Sequence, residues 1–422
     1  MDTIRHGTSG ALIIGGAHGA LAMARSLGRR SIPVGFITSD NVIVKFSRYV
    51  RLSEDWPGPT EPDAAKHLFD IGRRYNLAGW LLLPGGDAEA ELISHHRSEL
   101  ASFFRIVTPD WETARWALDK HLTYERAAAL GIAYPRSYAV SARKSVDQLD
   151  CRFPLVLKPA THREINALTV AKAWRINNRA ELLARYDRAV IAAGEKEIVL
   201  QELIPGRGDA QFSYAAIWNR GQPIASLVAQ RTRQFPIEFG YSSTFVETVE
   251  NAAVEEAAVR FLKSLDYSGL VEIEFKFDAR TGRYNILDVN IRAWTWIALG
   301  HRAGIDFPYL QWRLSNGEPV APFKARTGVA WTHLSRDVVA ALQEIRAKRI
   351  SPTDYLGVPR RSIEFAAFAW DDPLPGILDL PLVAVRVLKR RLPNVIGTLK
   401  AGLVQWGKAQ ASYLTRRTGQ LR

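Results

Sequence analysis

The sequence predicts an α/β protein, α+β in its catalytic part, divided into two or three domains. Three observations carry this prediction. An apolar run, Ala11 to Ile14, passes through a glycine turn, "GGAHG", into a helical pattern and a second apolar run, "VGFITSD". That is the βαβ opening of a parallel sheet. Between Lys196 and Arg292 short alternating runs succeed one another as antiparallel strands do. The 422 residues also exceed what one core ordinarily fills.

In chain order, the glycines of the first turn let backbone approach closely and let a helix N-terminus face an anion. A later strand, "WLLLP", ends at "GGDAE", placing Asp87 and Glu89 where open α/β sheets hold their sites. Trp111 to Leu130 reads as one or two helices, broken by "GIAYPRS". The run "FPLVLKPA" is a strand with Lys158 at its end, and a lysine ammonium suits phosphate oxygens. "KEIVLQELIPGRGD" is a strand followed by a Pro-Gly turn. "FSYAAIWNRGQPIASLVAQRTRQFP" gives antiparallel strands, with Arg231 and Arg233 at alternate positions and therefore expected on one face. Glu247 falls on the strand after them.

The stretch with most chemistry is "GLVEIEFKFDARTGRYNILDVNIR", Gly269 to Arg292. Two strand-period runs flank the turn "DARTG". Asp288, Asn290 and Arg292 share a face, and a hairpin brings Glu274 beside them. Two carboxylates and an amide oxygen form an all-oxygen site of the kind Mg²⁺ favours when substrate phosphates complete its shell. Arg292 adds a cation where a phosphate or carboxylate would sit. Solvated acids on an ordinary hairpin are the alternative.

Composition narrows the functional classes. Hydrophobic content of 47% and charged content of 23% are globular values. The single Cys151 excludes an internal disulfide framework and a cysteine-rich zinc site, and reads as a structural thiol. No apolar run approaches the length of a membrane-spanning helix. The start, "MDTIRHGTSG", lacks a signal peptide's apolar region, so a cytoplasmic location is expected. The net charge of +13 is uneven: Pro381 to Arg422 holds nine Lys or Arg and no acid, interleaved with Leu, Val, Ile and Trp406. Basic amphipathic helices there would touch an anionic membrane peripherally, at its inner face, or pack on the protein with a solvated basic side. No nucleic-acid motif accompanies the tail, and nucleic acid is not an expected partner. A homodimer is compatible with the chain.

The order of these motifs resembles the ATP-grasp ligases, over roughly Trp111 to Leu314. The carriers are Lys120 in "DKHLTYERAAALGIAYPRS", Lys158, the "QELIPG" segment, Glu274 and the Asp288-x-Asn290-x-Arg292 run. With "RQFP" ahead of the hairpin, the pattern looks most like bacterial carboxylate–amine ligases. The resemblance implies an ATP-grasp fold (residues 111–318) preceded by a Rossmann-like α/β domain (1–110) and followed by a C-terminal extension (319–422). It implies ATP with Mg²⁺, or Mn²⁺ in its place, held by Glu274, Asp288 and Asn290. Lys120 and Lys158 would contact phosphates, with Lys172 and His162 as further candidates. Gln201, Glu202 and Ile204 would form the hinge that reads adenine, and Asp209 would meet the ribose. Arg292, Arg231 and Arg233 would serve the reacting groups. The family's phosphate loop is glycine-rich, whereas "THREINALTVAKAW" has no glycine, so His162 and Arg163 are the side-chain alternatives there. The substrates implied are a small-molecule carboxylate and an amine, joined through an acyl phosphate. Two other classes stay open: a nucleotide- or membrane-binding protein with an inactive ligase domain, and a nicotinamide oxidoreductase built on the "GGAHG" turn.

Overall fold

The computed structural model describes residues 9–138, 140, 143–160, 168, 173–195, 198–237, 242–356 and 363–385. By its contacts the chain falls into two compact units, Met1–Pro375 and Gly376–Arg422. The described part of the second, residues 376–385, is helical. The basic tail on which the membrane expectation rests lies, from residue 386 on, outside the described residues. Among the described residues no helix is long and apolar enough to cross a membrane.

The first sheet is parallel. Its strands are β1 (Ala11–Ile14), β2 (Val34–Thr38), β3 (Val50–Asp55), β4 (Leu81–Pro84) and β5 (Arg105–Ile106), in the order β3-β2-β1-β4-β5. The central strands β1 and β4 are buried along their whole length, as strands covered by helices on both faces must be. The order changes direction between β1 and β4, where such sheets place their crevice. Two glycine turns meet there. Gly16 has φ +82°, and a Cβ on it would lie 2.7 Å from the Gly85 carbonyl oxygen. Gly16 therefore serves a backbone-to-backbone contact with the "GGDAE" turn, while Gly19 lies against the Trp294 carbonyl.

Two helices follow, Trp111–Leu118 and Lys120–Ala129. Aspartates cap both: Asp110 accepts from Thr113 N at 3.0 Å, and Asp119 accepts from His121 N at 2.8 Å. The second cap fixes Lys120 as the first helical residue. A small antiparallel sheet comes next, from β6 (Ser137–Tyr138), β7 (Leu155–Pro159), β8 (Trp174–Ile176) and β9 (Ile198–Glu202), ordered β6-β9-β7-β8. The helix Arg179–Ala193 covers it, burying Leu182, Tyr186 and Ala189.

Among the described residues the largest sheet has eight strands: β10 (Gln211–Asn219), β11 (Gln222–Phe235), β12 (Ser242–Val249), β13 (Gly269–Asp278), β14 (Arg283–Asn290), β15 (Phe323–Lys324), β16 (Ala330–Thr332) and β17 (Ile363–Phe365). Its order is β14-β13-β10-β11-β12-β16-β17, with β15 beside β11. Strands from residues 319–365, expected as an extension, thus belong to this sheet. The helix Ala252–Lys263 packs Val254, Ala258, Phe261 and Leu262 onto it, into the cluster that also holds Ile273 and Phe275. Trp294 and Trp296 are buried, as core residues rather than site residues. The last of these strands, β17, ends at Phe365. Beyond it, Asp372 and Asp371 turn back onto the first sheet's helix, His18–Gly28, through Arg25 within it and the C-cap residue Arg29.

Candidate active site

The hairpin of β13 and β14 pairs Glu274 with Asp288 and Glu272 with Asn290. A bulge follows Glu274, leaving Leu287 as the extra residue on β14. Leu287 and Asp288 consequently both line the same cavity. The Leu287 carbonyl, displaced from the ladder, accepts from the Tyr124 hydroxyl at 3.1 Å.

The acids face cations. Lys120 Nζ lies 3.2 Å from Asp288 Oδ1, with both side chains largely buried. Arg231 Nη2 donates to Glu274 Oε1 at 3.2 Å, and its Nη1 donates to Gln211 Oε1 at 2.9 Å. Lys158 projects from β7 and donates to the Tyr124 hydroxyl at 2.7 Å. That hydroxyl lies 3.2 Å from Gln201 Oε1. Tyr124 is fully buried, and burial, with Asp288 adding to it, keeps its phenol protonated. One side chain thereby joins the lysine strand β7, the strand β9 and the hairpin.

These groups surround a cavity of about 120 Å³ between the small and large sheets. Lys120, Lys158, Gln201, Glu202, Ile204, Arg231, Glu274 and Asp288 were expected in the site, and all eight line it. The cavity is below the roughly 300–1,000 Å³ of ordinary ligand pockets, so a nucleotide requires it to widen. Burial, with the Arg231 charge adding to it, lowers Lys276 to about 8.

Four expected residues sit differently. Asn290 lies on the hairpin but donates from Nδ2 to Glu272 Oε2 at 2.5 Å, and its Oδ1 accepts from Arg292 Nη2 at 2.7 Å. Arg292 donates from Nε to Asp87 Oδ1 at 2.9 Å, tying the hairpin to the end of β4. Asp209 is half exposed and 3.5 Å from Arg207 Nη2, outside the cavity wall, although its charge still favours the Lys276 cation. Arg231 and Arg233 do not share a face. A bulge at Thr232 sets Arg231 opposite Val246 and Arg233 opposite Phe245, neighbours that point opposite ways. Arg233 forms a bidentate pair with Asp337, both bonds 2.9 Å, and stacks over Phe245. His162, Arg163 and Lys172 lie outside the described residues.

Glu272, Tyr124, Lys276 and Gln211 were not anticipated. Glu272 carries the same parity as Glu274, and Tyr124 stands one helical turn after Lys120, so both signals were present. Glu272 is fully buried, and burial, with the Glu274 charge adding to it, pushes its carboxyl up to about 7. Its Oε1 has no hydrogen-bond partner.

Comparison with known proteins bears on the fold. The family model described as the carbamoyl-phosphate synthase L chain ATP-binding domain matches residues 227–322. The D-aspartate ligase of Enterococcus faecium is 25% identical over 223 residues, 50% of this chain and 53% of that protein. The chain thus spans about half the length of that curated relative. Among solved structures, the L-amino acid ligase of Bacillus licheniformis superposes with a TM-score of 0.57 at 16% identity, over 76% of this chain and 78% of its own. The biotin carboxylase domain of Hydrogenobacter thermophilus 2-oxoglutarate carboxylase, solved with MgADP and bicarbonate, gives 0.60 at 16% identity, over 77% and 74%. With a parallel sheet, a small antiparallel sheet and a large sheet bearing an acidic hairpin, the chain has the ATP-grasp fold and resembles the ligases of that superfamily.

Proposed function

We propose that the protein is an ATP-dependent carboxylate–amine ligase. The observation that carries this is the Glu274–Asp288 pair facing Lys120, Lys158 and Arg231 across one cavity. The donor set fits a hard divalent cation: Glu274, Asp288 and the Asn290 oxygen would hold Mg²⁺, and the partnerless buried Glu272 oxygen marks an incompletely satisfied acidic site. When bound, Mg²⁺ would neutralise phosphate charge.

The chain's own residues then have defined tasks. Lys120 and Lys158 hold phosphate oxygens by charge-assisted bonds. Gln201, Glu202 and Ile204 face the adenine end. A substrate carboxylate and a triphosphate repel each other, and Lys120, Lys158, Arg231 and Arg292 offset that repulsion. The carboxylate oxygen attacks the γ-phosphorus and ADP leaves. The amine nitrogen then attacks the acyl carbon, phosphate leaves, and the amine gives up a proton as the amide forms.

A nucleotide-binding protein without turnover is the second reading. It is favoured by the ion pairs that already engage Asp288 and Glu274. Phosphate release from Mg-ATP, screened across paired acid and amine libraries, separates the two. Release that requires both an acid and an amine supports the ligase. ATP binding with no release under any pair overturns it.

A further inference from the structure

We propose that an arginine-lined groove behind the end of β9 is a second ligand site, for a small molecule carrying two or more phosphates. The groove encloses about 730 Å³, a small-molecule volume. Tyr134 and Arg136 line it from the loop after the helix Lys120–Ala129, Arg280 from the β13–β14 turn, Arg283 from the start of β14, and Arg152 from the segment before β7. Glu202 and Ile204 line both this groove and the nucleotide cavity, so the strand end is their common partition.

The charge in the groove is unbalanced. It contains two carboxylates, Glu202 and Asp278, and Arg280 takes both at 2.7 Å. Among the described residues no ion pair joins Arg136, Arg152 or Arg283 to a carboxylate. Arg283 donates to the Gly131 carbonyl at 3.4 Å, and the Arg136 guanidinium lies over Tyr138. Three planar donor forks in one concavity, none of them paired with an acid, match phosphate oxygens. A single carboxylate would leave most of that charge unanswered. Neither Glu274 nor Asp288 lines the groove, so its ligand is an effector and not a reactant.

Two connections lead from the groove to the cavity. Arg280 holds the Glu202 carboxylate, while the Glu202 N–H donates to the Arg136 carbonyl at 2.9 Å. The Tyr134 ring stacks on Tyr124, 5.8 Å between centroids, and Tyr124 supports Lys158. A phosphate that draws on Arg280 or Arg136 acts on the hinge, and one that shifts Tyr134 acts on the ring behind Lys158. The direction of this coupling rests on the nucleotide reading of the cavity; binding in the groove does not.

The probe is inorganic tripolyphosphate, titrated by calorimetry at physiological ionic strength. Lys158→Met, altered in the cavity, keeps one binding event. The double variant Arg136→Glu/Arg283→Glu loses that event, with affinity down about ten-fold or more, and keeps the wild-type melting temperature. Arg152→Glu gives the same loss from a third position, should the double variant not fold. Equal titrations for wild type and all the groove variants overturn the proposal, as does complete loss in Lys158→Met. A protein that never releases phosphate from ATP would sink the ligase reading and leave this result standing.

Discussion

The Asp87 carboxylate accepts from Arg292 Nε at 2.9 Å, so the crevice of the parallel sheet and the acidic hairpin are joined by one ion pair. Arg292 also donates to the Asn290 oxygen, the atom the metal reading needs. One guanidinium thus sets both the hairpin's position and the direction of its amide. Lysine in its place keeps the charge and loses the fork. Arg292→Lys is expected to lower turnover about ten- to a hundred-fold, the loss of one charge-assisted bond. ATP affinity by equilibrium dialysis should stay within about three-fold, because Arg292 does not line the cavity. Unchanged turnover would remove Arg292 from the reacting centre.

Asp288 faces Lys120 at 3.2 Å and sits directly opposite Glu274. Asp288→Asn preserves shape and removes the negative charge that a divalent ion needs. The expected outcome is a rise in the Mg²⁺ concentration required for half-maximal phosphate release, with melting temperature retained. A Mg²⁺ dependence identical to wild type would show that the hairpin acids are ordinary surface charges.

Tyr124 predicts a more selective defect. Its hydroxyl accepts from Lys158 at 2.7 Å and lies within hydrogen-bonding distance of Gln201 and the Leu287 carbonyl. Tyr124→Phe removes one of the contacts that position Lys158, so ATP affinity should fall several-fold. Lys158→Met should cost about 1.5–3 kcal/mol, or ten- to a hundred-fold, and the double variant should be little worse than Lys158→Met alone. Strict additivity would mean that Tyr124 does not act through Lys158.

How much of this could be read from the chain depends on the distance over which each signal acts. Glu274, Asp288 and Asn290 follow from strand alternation within 24 residues, and the hairpin keeps Glu274 opposite Asp288 despite the extra Leu287. Arg231 and Arg233 obey the same rule in sequence and break it in space, because the bulge at Thr232 resets the parity. No side-chain pattern announces a bulge. The Arg233–Asp337 pair and the Asp87–Arg292 pair join residues 104 and 205 positions apart, beyond any local periodicity. Strands β15 to β17 were missed for a related reason: each is two or three residues long, too short to alternate visibly.

The pair Arg25–Asp372 spans 347 positions and is nearly sealed from solvent, with side chains 6% and 1% exposed. The Asp372 carboxylate also accepts from Ser47 Oγ at 2.7 Å and Arg48 N at 2.9 Å. Asp372→Ala strands a buried guanidinium and should cost about 3–5 kcal/mol. Chemical denaturation would measure it. A loss below about 1 kcal/mol would mean that the segment after β17 contributes little to holding the first sheet.

Glu89 gives the pH dependence its sign. Its carboxyl sits against the glycine turns at Gly15 and Gly86, and burial, with the nearby Asp87 charge adding to it, raises it to about 7. The unfolded chain releases that proton near pH 4.3–4.5. Between those values the folded state holds the proton and the unfolded state does not, so stability falls as pH rises from about 4.5 to 7. Above pH 7 both states are ionised and the full cost is present. Glu89→Gln removes the ionisation while keeping the shape, so it should stabilise the protein at pH 8 and make little difference at pH 4.5. Melting temperatures of both proteins across that range test this directly. A variant that is destabilised at pH 8 would show that the Glu89 anion supports the fold of the crevice, and would overturn the argument that its burial costs stability.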